Sequence, residues 1–331
     1  MSDRFSYRAY RRPLRVPLRT AHGLWTEREG LIVRLEDETG CAGYGEIAPL
    51  PWFRTESWNE AEEICRRLGG TPNEEQLASV PAGCGCVRFA LAAARAPVAA
   101  VDAQTRLPVA VLLPAGRDGL EILPEKIAAG WLAFKWKVGA GASDDELALL
   151  DDVLAMLPAY TRLRLDANGG WTRRQAEKFL ARCAERPVEF VEQPLAPDDE
   201  DGLLGLARDF PVKLALDESV VRLDAARHWQ ERGWPGIFVI KPALCGPLEE
   251  LKEWIDETKA DVVLSSALET ALGRDAILRF ALAGGLTKRA LGFGVGEVFG
   301  AAPWDGAPLG PLLDAASVAT EAGEKLWNAL G

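Results

Sequence analysis

Histidine is almost missing from this chain. Only His22 and His228 occur among 331 residues. Cysteine offers little as a metal ligand either. Cys41, Cys65, Cys84, Cys86, Cys183 and Cys245 are scattered, and the one close pair, Cys84 and Cys86, has no second pair nearby. That spacing does not make a zinc site. It reads as small buried or half-buried thiols in a reducing cytoplasm. No apolar run reaches the roughly 18 residues that a membrane span needs. None follows the basic stretch 1–17 either, so no signal peptide is expected. Basic charge is also scarce: 38 Lys and Arg stand against 49 Asp and Glu, a net charge of −11. Nucleic acids and anionic membranes are therefore poor candidate partners. No obligate protein partner is evident. What remains is a protein acting on a small molecule, whose site can be locally positive inside a negative whole.

The composition, 48% hydrophobic and 26% charged, is that of a globular chain, and its length exceeds the usual single core. Residues 4–13, 30–37 and 42–47 read as strands, and 57–68, 73–79 and 86–95 as helices. Together they suggest an α+β unit over 1–98. From about residue 106 short apolar strands alternate with amphipathic helices. The strands are 108–113, 132–138, 162–167, 188–192, 212–217, 236–241, 261–265 and 290–294. Helices are expected at 123–130, 143–157, 172–185, 199–209, 222–232, 246–258 and 269–284. Eight strands with seven helices between them predict an α/β fold, a (β/α)₈ TIM-type barrel over 99–300. No Gly-x-Gly-x-x-Gly turn follows the first strand, which counts against an open doubly wound sheet. A Pro/Gly-rich stretch and a helix near 315–329 are expected to return segment 301–331 to the N-terminal unit, which would then form a capping domain.

The strand ends carry the chemistry. Lys135 and Lys137 end the second strand, Asp166 the third, Glu192 the fourth, Asp217 the fifth, Lys241 the sixth, and Ser265 and Ser266 the seventh. Barrel active sites occupy that C-terminal face. Three carboxylates on adjacent strands converge, and they cannot all stay ionised without a cation between them. An all-oxygen set suits Mg²⁺, with Mn²⁺ as a substitute. The plainer alternative is that each pairs with a lysine or caps a helix; three at matching strand ends disfavour it. Lys135 and Lys137, two apart, share one face of their strand. Two ammonium groups side by side near a dication disfavour their own protons, and a lysine so placed can serve as a general base. Lys241, four strands round the barrel, would face a substrate from the other side. Such a site suits proton abstraction next to a carboxylate, with the enediolate charge taken up by the metal.

Lys-x-Lys, then Asp, Glu and Asp, then Lys on successive strands resembles the enolase superfamily, and within it the muconate-lactonizing subgroup. A lysine or histidine base with Mg²⁺ is the general pattern given for that superfamily. The mandelate-racemase branch would use a histidine on the seventh strand; here Ser265 and Ser266 stand there, and His228 falls on a helix. The short length, RLDANGGW at 164–171, VEQPL at 191–195 and SSALET at 265–270 look most like the o-succinylbenzoate synthase family, whose members are hydro-lyases of menaquinone and phylloquinone biosynthesis. The resemblance implies a 2-succinyl-6-hydroxy-2,4-cyclohexadiene-1-carboxylate substrate. It implies Lys137 as base, Lys241 as the charge on the opposite face, and Lys135 near the metal-held carboxylate. Asn168, Ser265 and Ser266 would support or meet substrate. Two closing loops, about 18–29 and 47–56, would supply His22, Trp25, Leu50 and Phe53.

An N-succinylamino acid racemase or dipeptide epimerase would share the same lysines and carboxylates. Residues 292–297 lack the Asp-x-Asp that commonly grips a dipeptide amine, which disfavours dipeptides. Muconate cycloisomerase would share the site as well. A barrel that only binds a ligand is the reading from another class; it would show a lost carboxylate or lysine, and none is lost.

Overall fold

Apolar and polar residues alternate over the first fifty positions, and they build a long hairpin with a third strand beside it. The computed structural model describes residues 3–20, 23–96, 100–284, 286, 288–296, 298–299, 309–315, 318 and 322–330. In it β1 (Arg4–Thr20), β2 (Gly23–Glu36) and β3 (Ala42–Ile47) form an antiparallel sheet in that order. Residues 18–29, expected as a closing loop, instead lie largely in the hairpin arms: Leu18 pairs with Trp25 and Thr20 with Gly23. The expected strand stopped at Pro13. The observed one shifts register between Pro13 and Leu18 and continues, because a proline has no N–H to give the ladder and the strand must bulge around it.

The buried face of this sheet, including Phe5, Leu31, Val33, Leu35 and Ile47, packs in one core with α1 (Trp58–Leu68), α2 (Glu74–Ala78) and α3 (Gly85–Arg95). Ser57 opens α1 through a reciprocal cap with Glu60, and Asn73 opens α2 the same way with Gln76, which satisfies the first free N–H groups. The Ala-rich α3 lies directly on β3. A Cβ on Gly45 would fall 1.9 Å from the carbonyl oxygen of Ala90, so only glycine permits this approach.

The second part is a parallel barrel. Its strands are β4 (Arg106–Leu113), β5 (Ala133–Lys137), β6 (Arg162–Asp166), β7 (Val188–Glu192), β8 (Leu214–Leu216), β9 (Ile237–Ile240), β10 (Val262–Leu264) and β11 (Leu291–Gly294). They pair in sequence, with β11 beside β4. A parallel bridge between Ser265 and Gly292 closes the remaining seam between β10 and β11. A Cβ on Gly292 would lie 2.6 Å from the Ser265 hydroxyl, so the seam needs glycine there. The connecting helices are α4 (Arg117–Ala128), α5 (Ser143–Met156), α6 (Arg173–Cys183), α7 (Glu200–Asp209), α8 (Leu223–Glu231), the short α9 (Pro242–Cys245), α10 (Leu248–Thr258) and α11 (Ala271–Ala283). Helix α4 begins six residues before the expected 123, so Pro124 sits inside it. The chain tolerates the missing N–H of Pro124 in the third turn of this helix.

Phe190, Ala215, Ile237, Val239 and Val263 fill part of the barrel interior. Towards its N-terminal end the Arg164 guanidinium lies 4.8 Å from the Phe190 ring centre and donates to Glu189, which also accepts from Arg289. The tail then holds β12 (Leu312–Asp314), antiparallel to the start of β4, and α12 (Ala322–Ala329). β12, directly after the Pro/Gly-rich stretch, was not expected. Trp327 of α12 packs on Tyr44 of β3 and lies beneath the Arg8 guanidinium. No helix among the described residues is long and apolar enough to cross a membrane.

Gly45→Ala is expected to cost about 1–3 kcal/mol through this overpacking. Chemical denaturation checks it; an unchanged midpoint would mean that β3 and α3 are not in contact.

Candidate active site

Strand register places the charged residues. Lys137, Asp166 and Glu192 are level across β5, β6 and β7. β8 pairs its Ala215 with Glu192, so Asp217, two residues on, returns to the same face. Lys135 lies one layer deeper on the face that Lys137 occupies. Lys241 follows β9 directly and precedes Pro242, the first residue of α9.

These side chains meet. The Lys135 ammonium donates to Glu192 at 2.6 Å and stands 2.7 Å from Asp166. Lys137 donates to Asp166 and to the Asn168 carbonyl oxygen, both at 2.7 Å. Lys241 pairs with Asp217, and its ammonium lies 4.7 Å from the Phe53 ring centre. Asp166, Glu192 and Asp217 are all buried. The Lys137 side chain is 34% exposed and that of Lys241 11%, so Lys137 faces the open mouth.

Burial alone penalises every charge here, and the neighbours decide which survive. The Asp166 carboxyl is desolvated, yet Lys135 and Lys137 hold it well below the usual carboxylate range. Desolvation also works against the Lys135 and Lys241 ammonium groups. The fields of Asp166 and Glu192 on the first, and of Asp217 and Glu218 on the second, overcome it and shift both upward. For Lys135 this is opposite to the direction expected from two adjacent ammonium groups, because carboxylates outnumber them. Glu192 is pushed up to about 8 by burial and then by Asp166. Glu218 is pushed up to about 7 by burial and then by Asp217. Four carboxyl groups thus face three lysines, and the surplus is taken by protons.

That surplus is the fit test for a metal. Among the described residues no three His, Cys, Asp or Glu side chains are closed into a ligand cage; the carboxylates face ammonium groups instead. The donors are nevertheless all carboxylate oxygens, with Asp166 and Glu192 level on β6 and β7 and Asp217 just past the end of β8; they are short of positive charge, and such a hard set suits Mg²⁺.

Two residues outside the expected site set, Gln193 and Glu218, support this cluster. Gln193 has φ 39°, a left-handed conformation that side chains rarely adopt. Its carboxamide oxygen accepts from the amides of Asp217 at 3.0 Å and Ser219 at 3.2 Å, and its nitrogen donates to the Ser219 hydroxyl at 2.8 Å. It therefore pins the end of β8 to the end of β7. Glu218 accepts from Asn168 at 2.8 Å, which turns the Asn168 carbonyl oxygen towards Lys137. Asn168 itself has φ 45°. The only sequence signals were position: Gln193 directly follows one expected ligand and Glu218 another.

The other expected contacts are mixed. Ser265 donates to the carbonyl of Gly292 at 3.3 Å, and Ser266 to Glu269 at 3.1 Å, so both hydroxyls are engaged within the seam and its loop. Phe53 sits over Lys241. Trp25 packs edge-on against Trp52 at 5.0 Å, which joins the hairpin to the 51–53 turn. Leu50 is buried in the core. His22 lies outside the described residues. Glu46, Arg12 and Arg28, none of them anticipated, reach from the first sheet to the loop after β10.

Residues 121–283 match the family model described as enolase C-terminal domain-like, and residues 6–98 the one described as MenC, N-terminal domain. The chain is 40% identical to the o-succinylbenzoate synthase of Thermosynechococcus vestitus, over 99% of both chains. The crystal structure of o-succinylbenzoate synthase from Thermosynechococcus elongatus BP-1, complexed with Mg in the active site, superposes with a TM-score of 0.87 at 39% identity, covering 99% of this chain and 100% of that one. The L-Ala-D/L-Glu epimerase of Bacillus subtilis shares the fold alone, with a TM-score of 0.79 at 20% identity over 94% of this chain and 95% of its own. With the barrel, its lysines and its carboxylates already in place, the full-length identity makes the conclusion direct: the chain belongs to the o-succinylbenzoate synthase family of the enolase superfamily.

Proposed function

We propose that the cluster at the barrel mouth dehydrates 2-succinyl-6-hydroxy-2,4-cyclohexadiene-1-carboxylate to 2-succinylbenzoate, a step of menaquinone or phylloquinone biosynthesis. The enzyme is a hydro-lyase acting on a small-molecule carboxylate with Mg²⁺ as cofactor. The observation that carries the residue assignments is the asymmetry of the two lysines around one buried carboxylate cluster. Lys137 reaches the open mouth, while Lys241 lies sealed between Asp217 and Phe53.

In this reading Asp166, Glu192 and Asp217 hold the metal, which supplies positive charge to a substrate carboxylate when bound. Lys137, entering as the neutral amine, takes the proton from the carbon beside that carboxylate. The electron pair released forms the ring double bond as the C–O bond at the neighbouring position breaks. The same ammonium then gives its proton to the departing hydroxide, which leaves as water. Lys241 stays protonated and faces the developing negative charge from the other side. Lys135 keeps Asp166 and Glu192 together and lies near the carboxylate. Asn168 orients Lys137. Ser265, Ser266, Trp25, Leu50, Phe53 and His22 belong to the surrounding substrate wall and lids. Residues 1–98 with 301–331 are assigned to the cap and 99–300 to the catalytic barrel. The reading has the enzyme working in the cytoplasm, without nucleic acid, membrane or obligate protein partner; the net charge of −11 supports this.

Lys137→Ala should fold and bind Mg²⁺, yet lose turnover by at least about 10³-fold. A steady-state absorbance assay of the cyclohexadiene carboxylate decides it, and near-normal rates would remove Lys137 as the base.

Metal binding should also release protons. Glu192, at about 8, is mostly protonated at pH 7, so Mg²⁺ must displace roughly one proton there and almost none well above pH 8. Apparent affinity then rises with pH and levels off. Calorimetric titration in buffers of different ionisation enthalpy measures the release; none at pH 7 would exclude Glu192 as a ligand. Removing the metal with EDTA should abolish activity, and adding Mg²⁺ should restore it.

A further inference from the structure

The loop after β10, which carries Ser265 and Ser266, is gripped residue by residue from the first sheet. Arg28 Nε donates to the carbonyl of Leu268 at 3.3 Å. Arg12 donates to the carbonyl of Glu269 at 3.4 Å. Glu46 accepts from the amides of Thr270 at 2.9 Å and Gly273 at 3.0 Å, and from the Tyr10 hydroxyl at 2.6 Å. Leu268 has φ 61°, a conformation that costs energy for a side chain with Cβ and needs outside support.

Arg28 does more than hold this loop. Its Nη1 donates to the carbonyl of Pro49 at 2.6 Å and its Nη2 to that of Ala48. Those carbonyls lead directly into the 51–53 turn, whose Trp52 meets Trp25 and whose Phe53 covers Lys241. Arg28 is 2% exposed. Among the described residues no carboxylate lies within ion-pair distance of it, and its bonds go to backbone carbonyls. A buried guanidinium without a carboxylate is costly unless every one of those carbonyls stays in place. Only a planar fork with donors on three nitrogens spans two separate segments at once; a lysine ammonium is a single point.

We propose that Arg28 is a positioning residue that fixes the 48–53 segment and the 265–270 loop to each other, and so sets the shape of the wall that Phe53, Ser265 and Ser266 form beside the carboxylate cluster. The proposal rests on the dehydratase reading only for its kinetic arm. Neither segment carries a reacting group, so their misplacement removes binding common to ground and transition states.

Arg28→Lys keeps the charge and loses the fork. In the Mg²⁺-loaded enzyme it should raise KM for the cyclohexadiene carboxylate roughly tenfold or more, the scale of a lost charge-assisted hydrogen bond, with kcat within about threefold. Hydrogen exchange should quicken in peptides covering 47–56 and 265–270 together, while peptides from β5 to β7 stay unchanged. Faster exchange in one segment only, in neither, or throughout the protein would overturn the proposal, as would a fall in kcat at constant KM. If the wild type does not turn over this carboxylate, the dehydratase reading falls, and the paired exchange effect still decides the role of Arg28. If Arg28→Lys does not fold, native-state exchange of the wild type decides instead. The two segments should then open with the same denaturant dependence, and independent opening would overturn the assignment.

Discussion

The barrel mouth buries more negative charge than its lysines can match, and much of the surrounding structure follows from that imbalance. Asp166, Glu192, Asp217 and Glu218 face Lys135, Lys137 and Lys241. Asp166 remains ionised because two ammonium groups touch it, whereas Glu192 and Glu218 are pushed up into the neutral range. Buried carboxylates without counter-charge are expensive. The parallel register keeps them there regardless, since Asp166 and Glu192 end level strands and Asp217 follows directly on the next, so none can turn away without moving its strand. In the proposed function a cation completes this site, and it would displace protons as it binds.

Precision at that site is borrowed from backbone conformations that ordinary residues avoid. Asn168 and Gln193 both have positive φ, and each is locked by side-chain bonds to the end of another strand. Such strain persists only where the neighbours determine it. The same logic recurs at Leu268, where the support comes from the first sheet through Arg28. The cap is therefore more than a cover. Close packing of α3 on β3 makes its sheet a stiff base, and a Cβ on Gly85 would sit 2.0 Å from the Leu244 carbonyl oxygen, so α3 also lies directly on the turn that follows Lys241.

The period of two within each strand was enough to name the side chains at the mouth. Polar residues cannot point into a barrel of Val, Ile and Ala without a reason, so Lys135, Asp166 and Glu192 stood out against their apolar neighbours. The eight-strand barrel was legible for the same cause. The hairpin beyond Pro13 was hidden because proline usually ends a strand, and the bulge that rescues it leaves no mark in composition. Gln193 and Glu218 escaped because their work depends on φ angles and amide orientation. Arg28 and Glu46 escaped because the groups they hold in the loop after β10 include backbone carbonyls and amides more than 200 positions away, and every residue has those.

The unequal setting of the two lysines bears on which reaction such a barrel performs. A racemase needs one base on each face, both able to gain and lose a proton. Here Lys241 is paired with buried Asp217, lies under the Phe53 ring and is held protonated by Asp217 and Glu218 against the cost of its burial. A cation kept in that way serves as a fixed charge and serves poorly as a base. Lys137 contacts Asp166 and the side-chain oxygen of Asn168 at the open side, the position from which the proposed function has it move the proton. One mobile proton carrier opposite one fixed cation is what loss of water from a single face requires. On the roles proposed above, the unequal exposure of the two lysines fits dehydration better than racemisation.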